Sequence, residues 1–174
     1  MVNSDAPLYE KDPEAWKEHL AEGNARQPRK RVSADVIIRD SRQRILLVDP
    51  KYKPDWDTPG GMVEANEPPD RAVQRELKEE LGLEIRVGRL LVVDWVSPHD
   101  PWDDLLAFVF EGGQLSDEEV RNIAPQDDEL STTEFCTPSQ AQERLRPYVW
   151  HRVAAALDAV ERHTVHYLRD GVSP

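Results

Sequence analysis

Glu76, Glu79 and Glu80 stand at i, i+3 and i+4 in a stretch with helical character, so the three carboxylates share one helix face. Like charges at this spacing oppose a helix by roughly a few tenths of a kcal/mol per pair. A divalent cation held among them reverses that sign. Carboxylate oxygens are the donors that a hard ion such as Mg²⁺ or Mn²⁺ prefers. Such an ion polarises a phosphoryl oxygen and makes bound water more acidic, so these residues point to metal-assisted attack of water on a phosphate. Taken alone, the three glutamates read better as a solvated face, and Arg75 with Glu79 at i, i+4 suits an ordinary surface ion pair.

Local signals supply the helix. Pro59-Gly60-Gly61 breaks whatever precedes it. Asn66 or Glu67 then caps a helix whose first turn holds Pro68, Pro69 and Asp70. Val73, Leu77 and Leu81 recur every fourth residue as its apolar stripe, and Gly82 is the residue expected just past its end.

Read as one unit, the stretch runs Gly61, five residues, Glu67, seven residues, Arg75-Glu76-Leu77, one residue, Glu79-Glu80, one residue, Gly82-Leu83. It resembles the complete signature of the Nudix hydrolases, with no position missing, and the flanking pattern carries the resemblance over residues 30 to 160. The resemblance implies an α/β fold, the Nudix-type α/β/α sandwich with a mixed β-sheet. It also implies a pyrophosphohydrolase that uses Mg²⁺ or Mn²⁺ to cleave a nucleoside diphosphate linked to another group. On the same resemblance, Glu79 and Glu80 match the principal metal ligands. Glu76 matches a third acid, a ligand in some members and a proposed base in others. Gly61 matches a glycine whose carbonyl joins the metal shell, Arg75 an arginine that orients a box glutamate, and Glu67 a glutamate that holds loop to helix. Some members use a later acid as ligand or base. Glu129 is the first candidate here, ahead of Asp128, Glu119 and Glu118.

Substrate choice lies outside the box. A nucleobase can stack on any aromatic face, which brings in Tyr52, Trp56, Trp95 and Trp102. Core packing suits Trp56 and Trp95 better, while both readings stand for Tyr52 and Trp102 in their loops. Arg44, Lys51 and Lys53 can pair with phosphate, and solvated surface explains them equally. The basic stretch from Ala25 to Lys30, with Arg26, Arg29, Lys30 and the adjoining Arg31, reads as a solvated connector, with contact to substrate phosphate as the sharper alternative. Pro98 is the fifteenth residue after Leu83 and resembles a proline of the ADP-ribose-hydrolysing members, which leans the substrate towards ADP-ribose or a similar nucleotide sugar. His99-Asp100, the pair His163 and His166, and the single Cys136 read as ordinary loop, exposed and unactivated residues.

The remaining elements follow in order. Residues 1 to 11 read as polar and mobile, and a short helix runs from Asp12 to a stop at Gly23 with Trp16 and Leu20 on one face. Arg31 to Arg39 and Arg44 to Val48 form a hairpin around a turn at Asp40-Gln43, and a loop from Asp49 to Asp57 leads to the box. Strands are expected over Glu84–Val96 and Leu105–Phe110, with a turn at Gly112-Gly113 and a long acidic connection over 114–129. Leu130 to Cys136 is expected as the last strand. Thr137-Pro138-Ser139-Gln140 is a capping box, and Pro147 opens a helix with Trp150, Ala154, Leu157 and Val160 recurring. Thr164 to Leu168 suits either the helix end or an extended tail.

The chain divides into an extension (1–29), one Nudix domain (30–163) and a tail (164–174). At 174 residues it can build a proper core. With 22 basic and 34 acidic residues its formal charge is -12, which disfavours nucleic acid and anionic membrane but not a small anionic substrate beside a cation. A lone cysteine, no signal pattern and no membrane-length apolar run fit a cytoplasmic setting. The Trp16 helix and the C-terminal helix are candidate homodimer surfaces. Two other functions stay open: a nucleotide-cleansing triphosphate pyrophosphatase, and a non-catalytic nucleotide sensor on the same scaffold.

Overall fold

The computed structural model describes residues 7–126 and 128–174. In chain order its elements are α1 (Leu8–Lys11), α2 (Pro13–Arg26), β1 (Arg31–Arg39), β2 (Ile45–Pro50), β3 (Gly60–Met62), α3 (Pro69–Leu81), β4 (Leu90–Val96), β5 (Leu105–Gln114), α4 (Asp117–Asn122), β6 (Leu130–Cys136), α5 (Pro138–Arg144), α6 (Pro147–Arg162) and β7 (His166–Arg169).

Alternation along β1 builds two cores. Ala34, Val36 and Ile38 bury against one face, where they join Ala72, Val73, Leu77 and Leu81 of α3. Ile37 points the other way and joins Val149, Val153, Ala156 and Ala159 of α6. The sheet is thus the middle layer of an α/β/α sandwich, as the resemblance implies. Its strand order is β6-β2-β1-β5-β4-β7, with β3 attached to β1. Pairs β1–β5 and β4–β7 are parallel and the others antiparallel, so the sheet is mixed. Val73, Leu77 and Leu81 are at most 1% exposed. Cutting one such large side chain to alanine costs about 2–5 kcal/mol, which is how firmly α3 and its acids are held.

One irregularity matters for the site. Strand β1 pairs with β2 only at Arg39↔Ile45, while its other half pairs with β3 through Ser33↔Met62, Ala34↔Gly61 and Asp35↔Gly60. Strands β1 and β2 therefore diverge, and β3 delivers the box glycines into the split.

Several expectations need correction. Pro68, not Asn66 or Glu67, occupies the N-cap of α3 and makes no side-chain cap; Asn66 is left-handed at φ 64° in the preceding turn. Gly82 ends the helix as expected, at φ 65°. Residues 8–11 are helical, and α2 continues through Gly23 to Arg26 with no buried residue. A glycine inside an exposed helix costs only about 1 kcal/mol, so it need not stop one. The strand expected from Glu84 starts at Leu90. Gly112-Gly113 is not a turn but a bulge within β5: Ile37 faces Glu111 and Ile38 faces Gly113. The acidic connection contains α4, capped reciprocally by Ser116 and Glu119. Strand β6 keeps its expected bounds but is not the last, because β7 adds a parallel strand beside β4, so chain beyond residue 163 belongs to the sheet. The buried stripe of α6 is Val149, Arg152, Val153, Ala156 and Ala159; Trp150, Leu157 and Val160 flank it. Among the described residues, no helix is long and apolar enough to cross a membrane.

Candidate active site

Arg75 is the hub of the loop-helix unit. Its guanidinium donates to both oxygens of Glu67 at 2.9 and 3.0 Å, to Glu76 Oε1 at 2.8 Å, to Glu79 Oε2 at 3.2 Å and to the Met62 carbonyl at 3.2 Å. Glu67 also accepts from the Glu64 amide at 2.9 Å. The Arg75 bonds, followed by that amide, hold the Glu67 carboxyl below the usual carboxylate range. Loop and helix are thus tied together before any ligand arrives. Gly61 packs so closely that a Cβ there would lie 2.5 Å from Glu76 Oε1.

A cavity of about 520 Å³ opens at the split between β1 and β2, within the usual size of small-molecule sites. Gly60, Gly61, Glu76, Glu80 and Glu129 line one part of it. Burial pushes the Glu76 carboxyl above its ordinary range; Arg75 pulls it down, and the charges of Glu79 and Glu129 add to the upward push. Glu80 is 9% exposed. The cavity therefore concentrates negative charge where solvent is scarce.

The rest of the lining carries paired charges, and of these the sequence reading missed Asp35, Asp57, Arg146 and Arg152. Arg152, on the buried stripe of α6, donates to Asp94 at 3.1 Å and lies 3.7 Å from Asp35. Lys53 is bonded to Asp57. Burial and then the Asp57 charge push the Asp35 carboxyl up to about 7, against the pull of Arg152 and Lys53. Arg146 pairs with Asp55 at 2.6 Å, beside Tyr148 in the lining. At the mouth, the Arg31 guanidinium stacks 4.5 Å from the Trp102 ring centroid and donates to the Asp103 carbonyl at 3.2 Å. Among the described residues, Arg31 is the one lining arginine or lysine without an acidic partner.

The expected residues divide accordingly. Gly61, Glu76, Glu80, Glu129, Tyr52, Lys53 and Trp102 meet in this cavity, and His99 joins them. Glu79 does not line it: its side chain is 58% exposed and held by Arg75, because one further residue along α3 turns it away from Glu80. Arg75 lies behind the wall and acts on Glu76. Arg44 is far from the expected phosphate role. Its guanidinium bonds to Asp40 at 2.6 Å in the β1–β2 turn, where Asp40 also accepts from the Arg42 and Arg44 amides. Burial works against the Asp40 charge, but those bonds outweigh it and hold the carboxyl low. Lys51 and Asp128 pair with each other at 3.6 Å on the surface, and Glu118 and Glu119 belong to α4. Trp56 packs on the α6-side core under Arg144, and Trp95 donates to Asp104 at 2.8 Å. His166 pairs with Asp158 at 2.8 Å, while His163 caps α6, so they form no metal pair. Cys136 is buried, and burial pushes its thiol up.

The donor set fits a hard divalent cation. Three carboxylates and a glycine backbone line one cavity, and the cradle at Gly61 admits no side chain in front of Glu76. Among the described residues, no three such groups already converge at ligand distance.

A family model for the NUDIX domain matches residues 29–157. The chain belongs to the NUDIX family of pyrophosphohydrolases. Members of that family generally use divalent metal ions. This Nudix chain is 29% identical over 150 residues to an RNA pyrophosphohydrolase of Hydrogenovibrio crunogenus, covering 76% of this chain and 89% of that protein. It is 39% identical over 91 residues to an ADP-ribose pyrophosphatase of Methanocaldococcus jannaschii, covering 48% of this chain and only 53% of that one. Among solved structures, a UDP-X diphosphatase aligns at TM-score 0.67 and 21% identity over 90% of this chain and 75% of its own. A MutT protein of Methanosarcina mazei aligns at TM-score 0.63 and 20% identity over 79% of this chain and 99% of its own. Likeness at that identity speaks for the fold alone.

Proposed function

We propose that this Nudix protein hydrolyses the diphosphate linkage of a nucleoside diphosphate derivative, with ADP-ribose or a similar nucleotide sugar as the leading substrate. The observation that carries the reading is one cavity whose lining brings Gly61, Glu76, Glu80 and Glu129 together with Arg31, Lys53 and Trp102. Glu76, Glu80 and Glu129, with the Gly61 carbonyl, would hold Mg²⁺ or Mn²⁺. When bound, the ion neutralises phosphoryl oxygens and lowers the pKa of water. Arg75 fixes the carboxylate of Glu76. Glu129 is assigned as ligand or as the base that takes the proton of the attacking water, while Glu79, held by Arg75 outside the lining, adds its negative charge to that on Glu76. The water oxygen bonds to one phosphorus and the bridging P–O bond breaks. A nucleoside monophosphate and the other phosphorylated half leave. Tyr52 and the exposed face of Trp102 would stack on the base or sugar. The lean to ADP-ribose rests on Pro98 and on the Methanocaldococcus relative; Pro98 itself does not line the cavity.

One observation favours a second reading, a nucleoside triphosphate pyrophosphatase. Arg31 is a lining cation without an acidic partner among the described residues, suited to a further phosphate. Steady-state rates with ADP-ribose, nucleotide sugars, dinucleoside polyphosphates, NADH and nucleoside triphosphates, each with Mg²⁺ and then Mn²⁺, test both. The leading reading expects the highest kcat/KM among the diphosphate-linked sugars. A triphosphate ahead of them all transfers the assignment, and binding without turnover revives the sensor.

A further inference from the structure

Residues 169–172 form a turn fastened to residues that neighbour or line the cavity. Arg169 and Val172 exchange both backbone hydrogen bonds, at 2.8 and 3.0 Å. Between them Asp170 (φ 52°) and Gly171 (φ 76°) are both left-handed, the geometry of a type I′ turn that an Asp-Gly pair favours. Asp170 Oδ1 accepts from the Ser97 amide at 2.8 Å and from its hydroxyl at 2.9 Å, while the Asp170 amide donates to the Trp95 carbonyl at 3.0 Å. The Gly171 amide donates to Asp94 Oδ1 at 3.1 Å, and Asp94 Oδ2 takes Arg152. A Cβ on Gly171 would lie 2.9 Å from the Tyr148 carbonyl, so the turn seats flush against α6.

Each of these partners leads to the cavity. Ser97 opens the loop that carries His99 and Trp102 to its mouth, and Arg152 and Tyr148 line its wall. Asp94 is 1% exposed and receives both Gly171 and Arg152, so turn and wall share one buried carboxylate. The loop itself is exposed near its tip; Lys30, Trp95 and Arg31 hold its far end through Asp104 and Asp103, and Asp170 holds its start at Ser97, so that bond offsets part of the conformational entropy that ordering the loop costs. We propose that the Asp170-Gly171 turn is a positioning element of the active site: it sets the 97–104 loop and Arg152, and thereby substrate affinity rather than the chemical step. The inference rests on reading this cavity as the substrate site.

Two variants of the full chain separate this role from simple turn formation. Asp170→Gly keeps a left-handed backbone and removes the carboxylate; Asp170→Asn keeps both the turn preference and an acceptor oxygen. Amide hydrogen exchange without metal or ligand is the first readout. Asp170→Gly should raise exchange across residues 97–104 by about tenfold, leave α3 unchanged, and be rescued by Asp170→Asn. Equal protection of that loop in wild type and Asp170→Gly overturns the proposal, whatever the enzyme acts on. The second readout is kinetics on ADP-ribose with Mg²⁺. KM should rise about tenfold in Asp170→Gly with kcat within about twofold. A parallel loss of kcat and kcat/KM overturns the affinity assignment. A wild type inert on ADP-ribose counts against the substrate reading alone, and the exchange result still decides the turn.

Discussion

Replacing Gly61 by alanine should remove activity and spare the fold. The added Cβ would stand 2.5 Å from Glu76 Oε1, 2.6 Å from Cδ and 3.0 Å from Oε2. Ordinary contact needs about 3.5 Å, so the carboxyl must retreat by about 1 Å. Gly61 is not among the positive-φ residues, and its close neighbours are the end of a flexible side chain, so alanine fits the backbone. The expected stability cost is therefore at most about 1 kcal/mol, a fall in Tm of about 2–4 °C for a domain of this size. Displacing a group of the site by about 1 Å is worth about a hundredfold in rate. Thermal unfolding and kcat/KM with Mg²⁺, measured on the same preparation, test the pair of outcomes. Gly60→Ala is the contrast: φ is 141° and its Cβ would fall 2.2 Å from the Ala34 carbonyl, so the β3–β1 pairing itself must break. A Gly61→Ala enzyme within about threefold of wild type refutes the reasoning that Glu76 must occupy its observed place.

Asp35 gives a prediction with a pH sign. Its carboxyl is pushed from 3.8 to about 7 on folding, so the folded chain keeps a proton that the unfolded chain releases between those values. Stability from this group is full below the lower value and is lost as pH rises towards the upper one. Asp35→Asn, which does not titrate, should gain stability relative to wild type as pH rises from 3.8 to about 7 and level off above, measured by urea unfolding; a constant difference contradicts the burial argument. Arg44→Ala should leave KM unchanged, because Arg44 is spent on Asp40; a KM raised about tenfold would return it to the substrate.

Much of the fold was legible because local and tertiary signals agree. Alternation over residues 31–39 and the four-residue spacing of Val73, Leu77 and Leu81 both report one buried face, and both segments bury it. The acids were legible as a set, but not their division. Glu76 and Glu80 are one helical turn apart and share the cavity, while Glu79 is claimed by an arginine whose partners come from a distant loop. Asp35 and Arg152 were illegible for a related reason: each is a polar residue set among apolar ones, and only the meeting of β1, β4 and α6 shows that Asp94 holds Arg152 beside Asp35. The Gly112-Gly113 bulge depends on the register with β1, which no short window contains. Strand β7 does carry a local signal. Asp170-Gly171 between Arg169 and Val172 is a type I′ turn dipeptide, and it marks an extended end rather than a helical one.

The central claim is that Glu80 belongs to a metal-dependent hydrolytic site. Phosphorus-31 NMR of product formation, in wild type and Glu80→Gln with Mg²⁺ and again after chelation, tests it most directly. The best substrate of the panel should be cleaved by wild type only while the cation is present. Glu80→Gln should lose at least about a thousandfold of that rate with its Tm little changed. Cleavage by Glu80→Gln within a few-fold of wild type, or cleavage that survives chelation, would contradict the account.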